Sequence, residues 1–262
     1  MSTPASTPPR TDDTPHRFTP AQRLYLTLAL VSATCLLMAD VLGVKLFRIP
    51  LPFEIPVFWS DQPISAITHT CGMLLFPITF LITDLANEYF GPKAARRIVW
   101  LSFAMGGISF LSINTALAMP HWDVPFNVPA SGFDAVFASS RIMFIASLSA
   151  YLVGNLADVF LFGRLKRATR GRLVWLRATG STVVSQFIDS FVVTYLAFGL
   201  GRTLFPSPDG PTPMDFAEIL KTASTGYMLK FVIALAITPL VYLGRYLVER
   251  YLHLTPIPSD RA

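Results

Sequence analysis

An all-α, polytopic membrane protein with six transmembrane helices is the fold class this sequence predicts, on three observations. Hydrophobic residues fill 52% of the 262 positions and charged residues only 14%, against about 25% charged in average soluble domains. Mean hydropathy is +0.51, and long apolar runs recur roughly every thirty to forty residues. The basic residues gather in particular loops, so the net charge of +5 and pI near 9.4 read as membrane topology rather than a nucleic-acid surface.

Residues 1–20 are rich in Thr, Pro and Ser and lack apolar periodicity, which predicts a disordered cytoplasmic tail. The apolar run that follows is too long, and lacks the small-residue cleavage pattern, for a cleaved signal peptide. A six-helix transporter domain then occupies 21–250, and 251–262 form a short cytoplasmic C-terminal tail. The first span runs from about Leu24 to Phe47, with Asp40 towards its far end and Lys45 at its exit. The loop Arg48–Gln62 mixes Pro50, Pro52 and Pro56 with Phe53, Phe58 and Trp59, a composition suited to the water–lipid interface. The second span covers about Ile64–Tyr89 and breaks at Gly91-Pro92 before Lys93, Arg96 and Arg97. The third covers about Ile98–Met119, with Asn114 late and the pair Gly106-Gly107 permitting close helix packing.

Residues 120–139 read as an external loop. The fourth span, about Arg141–Phe162, holds Asn155 and Asp158. A basic stretch follows, with Arg164, Lys166, Arg167, Arg170, Arg172 and Arg177 and no acid among them, which reads as a cytoplasmic anchor. The fifth span, about Ala178–Leu200, holds Gln186 and Asp189. A Pro-rich loop at 201–213 leads to the sixth, about Ile219–Leu243, with Lys230 inside it. Fifteen of the 21 Lys and Arg residues fall on one side of this arrangement and five on the other, Lys230 being intramembrane. Both termini are therefore expected in the cytoplasm of an inner membrane.

Cys35 and Cys71 lie in apolar segments and read as small buried hydrophobes. His16, His69, His121 and His253 are scattered without metal-ligand spacing, and no phosphate-binding GxxxxGK[ST] occurs. No metal and no cofactor are expected.

Three spans repeat a polar pattern: Asp84-x-x-Asn87-Glu88, Asn155-x-x-Asp158 and Gln186-x-x-Asp189. An amide and an acid three residues apart share one helix face and present acceptors with a donor, which suits a ligand carrying several N–H groups. Acids inside an apolar helix are expensive and face a protein interior or a cavity. At about 1.5 Å per residue, Asp189 and Lys230 lie close to the midplane, with Asp84, Asn155 and Asp158 within about two turns of it. A lone intramembrane Lys is costly, so Lys230 is expected to pair with Asp189. Glu88 sits nearer the cytoplasmic mouth, where a surface role competes with a ligand role. The competing account is that these groups only bond one another, but such bonds average about 0.6 kcal/mol, poor value for so many ionisable groups. Phe76, Phe80, Phe187, Phe191, Tyr195 and Tyr227 are available to stack on a planar ring, with no one of them singled out.

FPITFLITDLANEYFGPKAARRIVW, SQFIDSFVVTYLAF and YMLKFVIALAITPLVYL resemble, in that order, the signature stretches of the bacterial queuosine precursor transporters, a vitamin-uptake-like family of six-helix inner-membrane proteins. The resemblance spans about residues 24–248 of this chain. It implies import of a 7-deazaguanine precursor of queuosine, 7-cyano-7-deazaguanine or a relative, for tRNA queuosine salvage. It also points to Asp84, Asp189 and Lys230 as substrate-binding residues. Asn87 and Glu88 occupy positions that vary in the family, and MADVLGVKLF carries Asp40 where the family pattern has Asn. The candidate substrate-binding set is thus Asp84, Asn87, Glu88, Asn155, Asp158, Gln186, Asp189 and Lys230. Three rivals stand beside import: a substrate-binding subunit served by a separate ATPase, an intramembrane enzyme, weakened by the lack of a metal-ligand cluster or a nucleophile–base pair, and an assembly factor with no ligand, which would leave the buried acids unexplained.

Overall fold

The computed structural model describes residues 18–55, 63–137, 141–170, 172–204 and 212–258. Helix α1 (Pro20–Leu42) opens with a capping box. The Thr19 hydroxyl accepts from the Gln22 N–H, and the Gln22 side chain accepts from the Thr19 N–H. With Pro20 in the first turn, this cap starts the helix ahead of the apolar run. Residues 18–20 therefore belong to the helix start, and the rest of the predicted N-terminal tail lies outside the described residues.

The chain next forms a hairpin, β1 (Leu46–Ile55) antiparallel to β2 (Ile64–Thr70). Recurrent Ile and Thr suit a pleated strand. Pro50 and Pro52 are tolerated because a two-stranded ribbon has open edges. The second span was expected to open at Ile64, yet residues 64–70 go to this strand. Phe58 and Trp59, assigned to an interfacial loop, lie outside the described residues.

A 3-10 turn (Cys71–Leu74) leads into α2 (Phe76–Ala118). There follow α3 (Ala130–Phe137), inside the predicted external loop, then α4 (Arg141–Ala168) and α5 (Val174–Thr194). A π-helical turn (Tyr195–Leu200) runs into α6 (Gly201–Leu204). The last helix is α7 (Phe216–Leu252), capped by Asp215 and Glu218. The Pro-rich loop expected at 201–213 lies mostly outside the described residues.

Among the described residues, five helical stretches are long and apolar enough to cross a membrane, not the six predicted. The difference arises in α2, one 43-residue element that takes in both the second and the third predicted spans. The Gly91-Pro92 break read from the sequence consumes a single residue: Gly91, at φ 80° and ψ 172°, departs from helical geometry and its neighbours do not. The direction of α2 changes there. Gly72, just before it, packs on the Ala39 backbone at the far end of α1. Tyr25, near the start of α1, donates to the Ala94 carbonyl at 3.2 Å. Further on, Gly106 lies back against Leu36 and Leu148. Gly91 is thus a fold-back inside one helical element.

Helix α4 packs on α5, α1 and α4 pack on α2, and α7 closes on α5. Ala86, Ala95, Ile98 and Val99 of α2 meet Leu28 and Leu36 of α1 and Leu148, Tyr151 and Val159 of α4 in the apolar core. Leu30, Leu111, Ile145, Phe160 and Val232 point outward and stay exposed, the surface a bilayer covers in a multi-pass membrane protein. Both ends of the described chain lie near the Gly91 turn, since Tyr25 at the start of α1 reaches Ala94 and the Ile257 N–H donates to the Glu88 carbonyl at 2.9 Å.

A Cβ at Gly91 would meet only the Ile257 Cδ1 atom, at 3.5 Å, while its positive φ disfavours any L side chain. The cost of Gly91→Ala is therefore backbone strain of about 1–3 kcal/mol. It should appear as a lower melting temperature of the detergent-solubilised protein, and an unchanged melting temperature would count against the fold-back.

Candidate functional site

The sequence-predicted polar residues fall into three levels along the bundle. At the end where the termini lie, Glu88 is 3% exposed and gathers three cations. Lys166 Nζ of α4 lies 3.0 Å from Oε2, and Arg177 Nη2 of α5 lies 2.5 Å from Oε1. Arg245 Nη1 of α7 stands 3.8 Å away and also meets Glu249. Lys166 and Arg177 were read only as part of a cytoplasmic anchor, and both are buried. Helical spacing held the signal: Lys166 follows Asp158 by eight residues and Arg177 precedes Ser181 and Ser185 by four and eight, so each shares the polar face of its helix. Burying one such cation without a carboxylate would be costly, and Glu88 supplies it.

The middle level lies between α2, α4 and α5. Asp158 Oδ1 accepts from the Ser185 hydroxyl at 3.2 Å and from Thr182 at 3.4 Å, and Oδ2 accepts from Thr83 at 3.5 Å. These three hydroxyls were not among the sequence candidates, although each lies on the polar face of its own helix. Asn87 donates to the Val159 carbonyl and Asn155 to the Tyr151 carbonyl, both at 3.0 Å. Several buried atoms at this level have no hydrogen-bond partner among the described residues: Asp84 Oδ1, Asn87 Oδ1, Asn155 Oδ1 and both amide atoms of Gln186. Unmet polar atoms at such density call for an explanation. Asp84 also lines a narrow cleft with Phe76, Phe80, Thr179, Thr182 and Thr238.

Deepest, Lys230 Nζ of α7 pairs with Asp189 Oδ2 of α5 at 2.5 Å, the partnership expected from their depth. Lys230 also stands 6.0 Å from the centre of the Phe76 ring, and Phe187 meets Tyr227 edge to face at 5.5 Å. Gly154 of α4 faces this pair so closely that a Cβ there would come within 3.0 Å of the Asp189 Cβ. His69, on β2, reaches the same region. Burial and then the neighbouring Lys230 hold its imidazole down to about 4, so it is uncharged at neutral pH.

The candidate residues thus separate. Asp84, Asn87 and Asp158 lie where α2 meets α4 and α5, Asn155 is one turn from Asp158, and Gln186 follows Ser185, a partner of Asp158. Asp189 and Lys230 form a pair, and Glu88 belongs to the cationic cluster. No group of three or more metal-ligating side chains occurs among the described residues. The arrangement offers acceptors, an amide donor and flat apolar walls, which suits a neutral planar molecule rich in N–H groups.

Residues 70–244 match a family described as "Putative vitamin uptake transporter". A "Probable queuosine precursor transporter" of Bacillus subtilis (strain 168) is 29% identical over 185 residues, covering 70% of this chain and 74% of that protein. A protein of the same description from Haemophilus influenzae (strain ATCC 51907 / DSM 11121 / KW20 / Rd) is 27% identical, over 60% of this chain and 65% of its own. The "Queuosine precursor transporter" of Escherichia coli (strain K12) is 30% identical, over 63% and 67%. No solved structure matches.

Breaking the Lys230–Asp189 pair from either side strands a charge, at a cost of about 3–5 kcal/mol. Lys230→Met and Asp189→Leu should each lower membrane abundance, and the double variant should recover it. Quantitative immunoblotting of the four proteins checks this, and strictly additive losses would show that the pair does not act as a unit.

Proposed function

Because the chain belongs to the vitamin uptake transporter family that includes the queuosine precursor transporters, we propose that it imports a 7-deazaguanine, 7-cyano-7-deazaguanine or a close relative, into the cytoplasm for queuosine salvage. Transport across the membrane follows from the family and the multi-pass helical fold, and the role is not catalytic. The substrate is the further step. The observation that carries it is the set of unpartnered acceptors between α2, α4 and α5, with Asp84 lining a cleft beside Phe76 and Phe80.

A deazaguanine presents N1–H and N2–H₂ on one edge, an arrangement a carboxylate accepts as a bidentate pair. Asp84 supplies that carboxylate, with Asn87 and Asn155 oxygens as further acceptors. The ring's O6 needs a donor, and the Gln186 amide has one unused. Lys230 is held by Asp189, so it serves the substrate only if that pair opens. The ring is flat and uncharged, and Phe76 and Phe80 offer it faces. Asp158, already bonded to three hydroxyls, supports the site from behind. Glu88 ties the inner ends of the helices together. The cleft has room for about one water molecule, so α2, α5 and α7 must part to admit substrate.

For orientation we assign the end carrying Glu88, Lys166 and Arg245 to the cytoplasm, on the fifteen-to-five asymmetry of Lys and Arg. Reporter fusions at Ala168 and after His253 should both read cytoplasmic, and one at Gly210 external. A cytoplasmic signal at Gly210 would overturn this orientation.

Cells unable to make queuosine should accumulate labelled 7-cyano-7-deazaguanine only when they express the chain, and no uptake would overturn the substrate assignment. Asp84→Asn keeps the shape but swaps an acceptor for a donor facing the substrate's own N–H groups. Uptake should fall by tenfold or more, about the 1.5–3 kcal/mol of a charge-assisted hydrogen bond, at normal membrane abundance. Wild-type uptake by a well-expressed Asp84→Asn protein would remove Asp84 from the site.

A further inference from the structure

A second polar site lies at the opposite end of the bundle from Glu88. Asp40, in the last turn of α1, accepts the Ser147 hydroxyl of α4 at Oδ1, 2.8 Å away. Its Oδ2 is buried and has no hydrogen-bond partner among the described residues. This carboxyl lines a small cleft with Phe110, Ile113, Asn114, Arg141 and Phe144. Phe110 and Phe144 stand 5.4 Å apart, and one N–H of the Asn114 amide donates to the Phe110 carbonyl at 2.8 Å. Arg141 is the charged wall of the cleft besides Asp40, and among the described residues no ion pair joins the two. The other elements packed here contribute no opposing charge: α2 has no ionisable residue from Leu101 to Ala118, and the 3-10 turn has only Cys71. Asp134 of α3 and Lys45 beyond α1 do not line the cleft.

Arg141 and Asn114 share this cleft, yet among the described residues neither bonds Oδ2, and a carboxylate oxygen left without a donor is costly to keep charged. One carboxyl and one hydroxyl are too few oxygens for a metal cation, which takes about six, whereas a proton needs only the bare Oδ2. The cleft has room for about one water molecule, enough to deliver that proton and too little for an organic ligand. We propose that Asp40 is a proton-binding site reached from the end of the bundle away from Glu88, protonated when this cleft is closed and ionised when it opens to water. The proton adds to Oδ2 from the outer solution and returns to it on opening, with no change of redox state. The inference rests on the transport reading for its consequence, which is that import depends on external pH through this one carboxyl.

Two arms test it on the full-length protein. A hydrophobic carbodiimide attacks protonated carboxyls, so mass-spectrometric labelling at Asp40 should fall about tenfold per pH unit above a midpoint. Ser147→Ala removes a bond that favours the charged form, and should move that midpoint upward by about one pH unit. Labelling that ignores pH, or a midpoint unmoved in Ser147→Ala, would overturn the proposal without reference to any substrate. In the second arm, 7-cyano-7-deazaguanine uptake into proteoliposomes should vary with external pH in the wild type and be flat in Asp40→Asn, with exchange between equal pools retained. An identical pH profile in Asp40→Asn also overturns it. Absence of uptake by the wild type would instead count against the substrate assignment, leaving the labelling arm to decide Asp40.

Discussion

Burying Glu88 imposes the constraint on which the rest of the bundle depends. A carboxylate inside a helix pair has to be met by cations, and here the three that meet it come from three different helices. α2, α4, α5 and α7 are thereby fixed to one point at one end. The backbone of the same residue takes part, because the Glu88 carbonyl accepts from Ile257 and from Lys166. Hydrophobic burial alone does not hold helices together in lipid, where the tails are as apolar as leucine. Polar contacts and close packing decide the arrangement, and the Glu88 cluster contributes both.

With that end fastened, the middle of the bundle can carry polar atoms that are not mutually satisfied. Asp158 is within reach of the Thr83, Thr182 and Ser185 hydroxyls, two of which it shares with backbone carbonyls. Asp84, Asn87, Asn155 and Gln186 keep unused atoms. Buried groups with unmet bonds are costly in a resting protein, and a ligand that supplies the missing partners recovers that cost on binding. The site's affinity would come from this recovery as much as from stacking on Phe76 and Phe80.

Much of this was legible in the sequence because intramembrane polar residues are few and each has to be explained. Periodicity located the helices, the i,i+3 pairs gave the faces, and depth alone matched Lys230 to Asp189. Other features were hidden for identifiable reasons. A Gly-Pro dipeptide reads as a loop, but one glycine at positive φ was enough to turn the chain, so two predicted spans became one element. Ile64–Thr70 runs directly into an apolar stretch and reads as one with it, although its polar and β-branched content favours a strand. Lys166 and Arg177 read only as anchor charges because the rule that places basic loops ignores which face of the helix they occupy. Asp40 stood alone in sequence, and only packing brought Ser147 and Arg141 beside it.

Gly154 replaces a side chain with a hydrogen where α4 lies against the Asp189 level of α5. The two helices therefore close up at this point, and the Asp189 side chain rests against bare α4 backbone on its way to Lys230. A side chain at position 154 would have to push Asp189 aside, so one hydrogen atom on α4 decides where the acidic half of an ion pair between two other helices can stand.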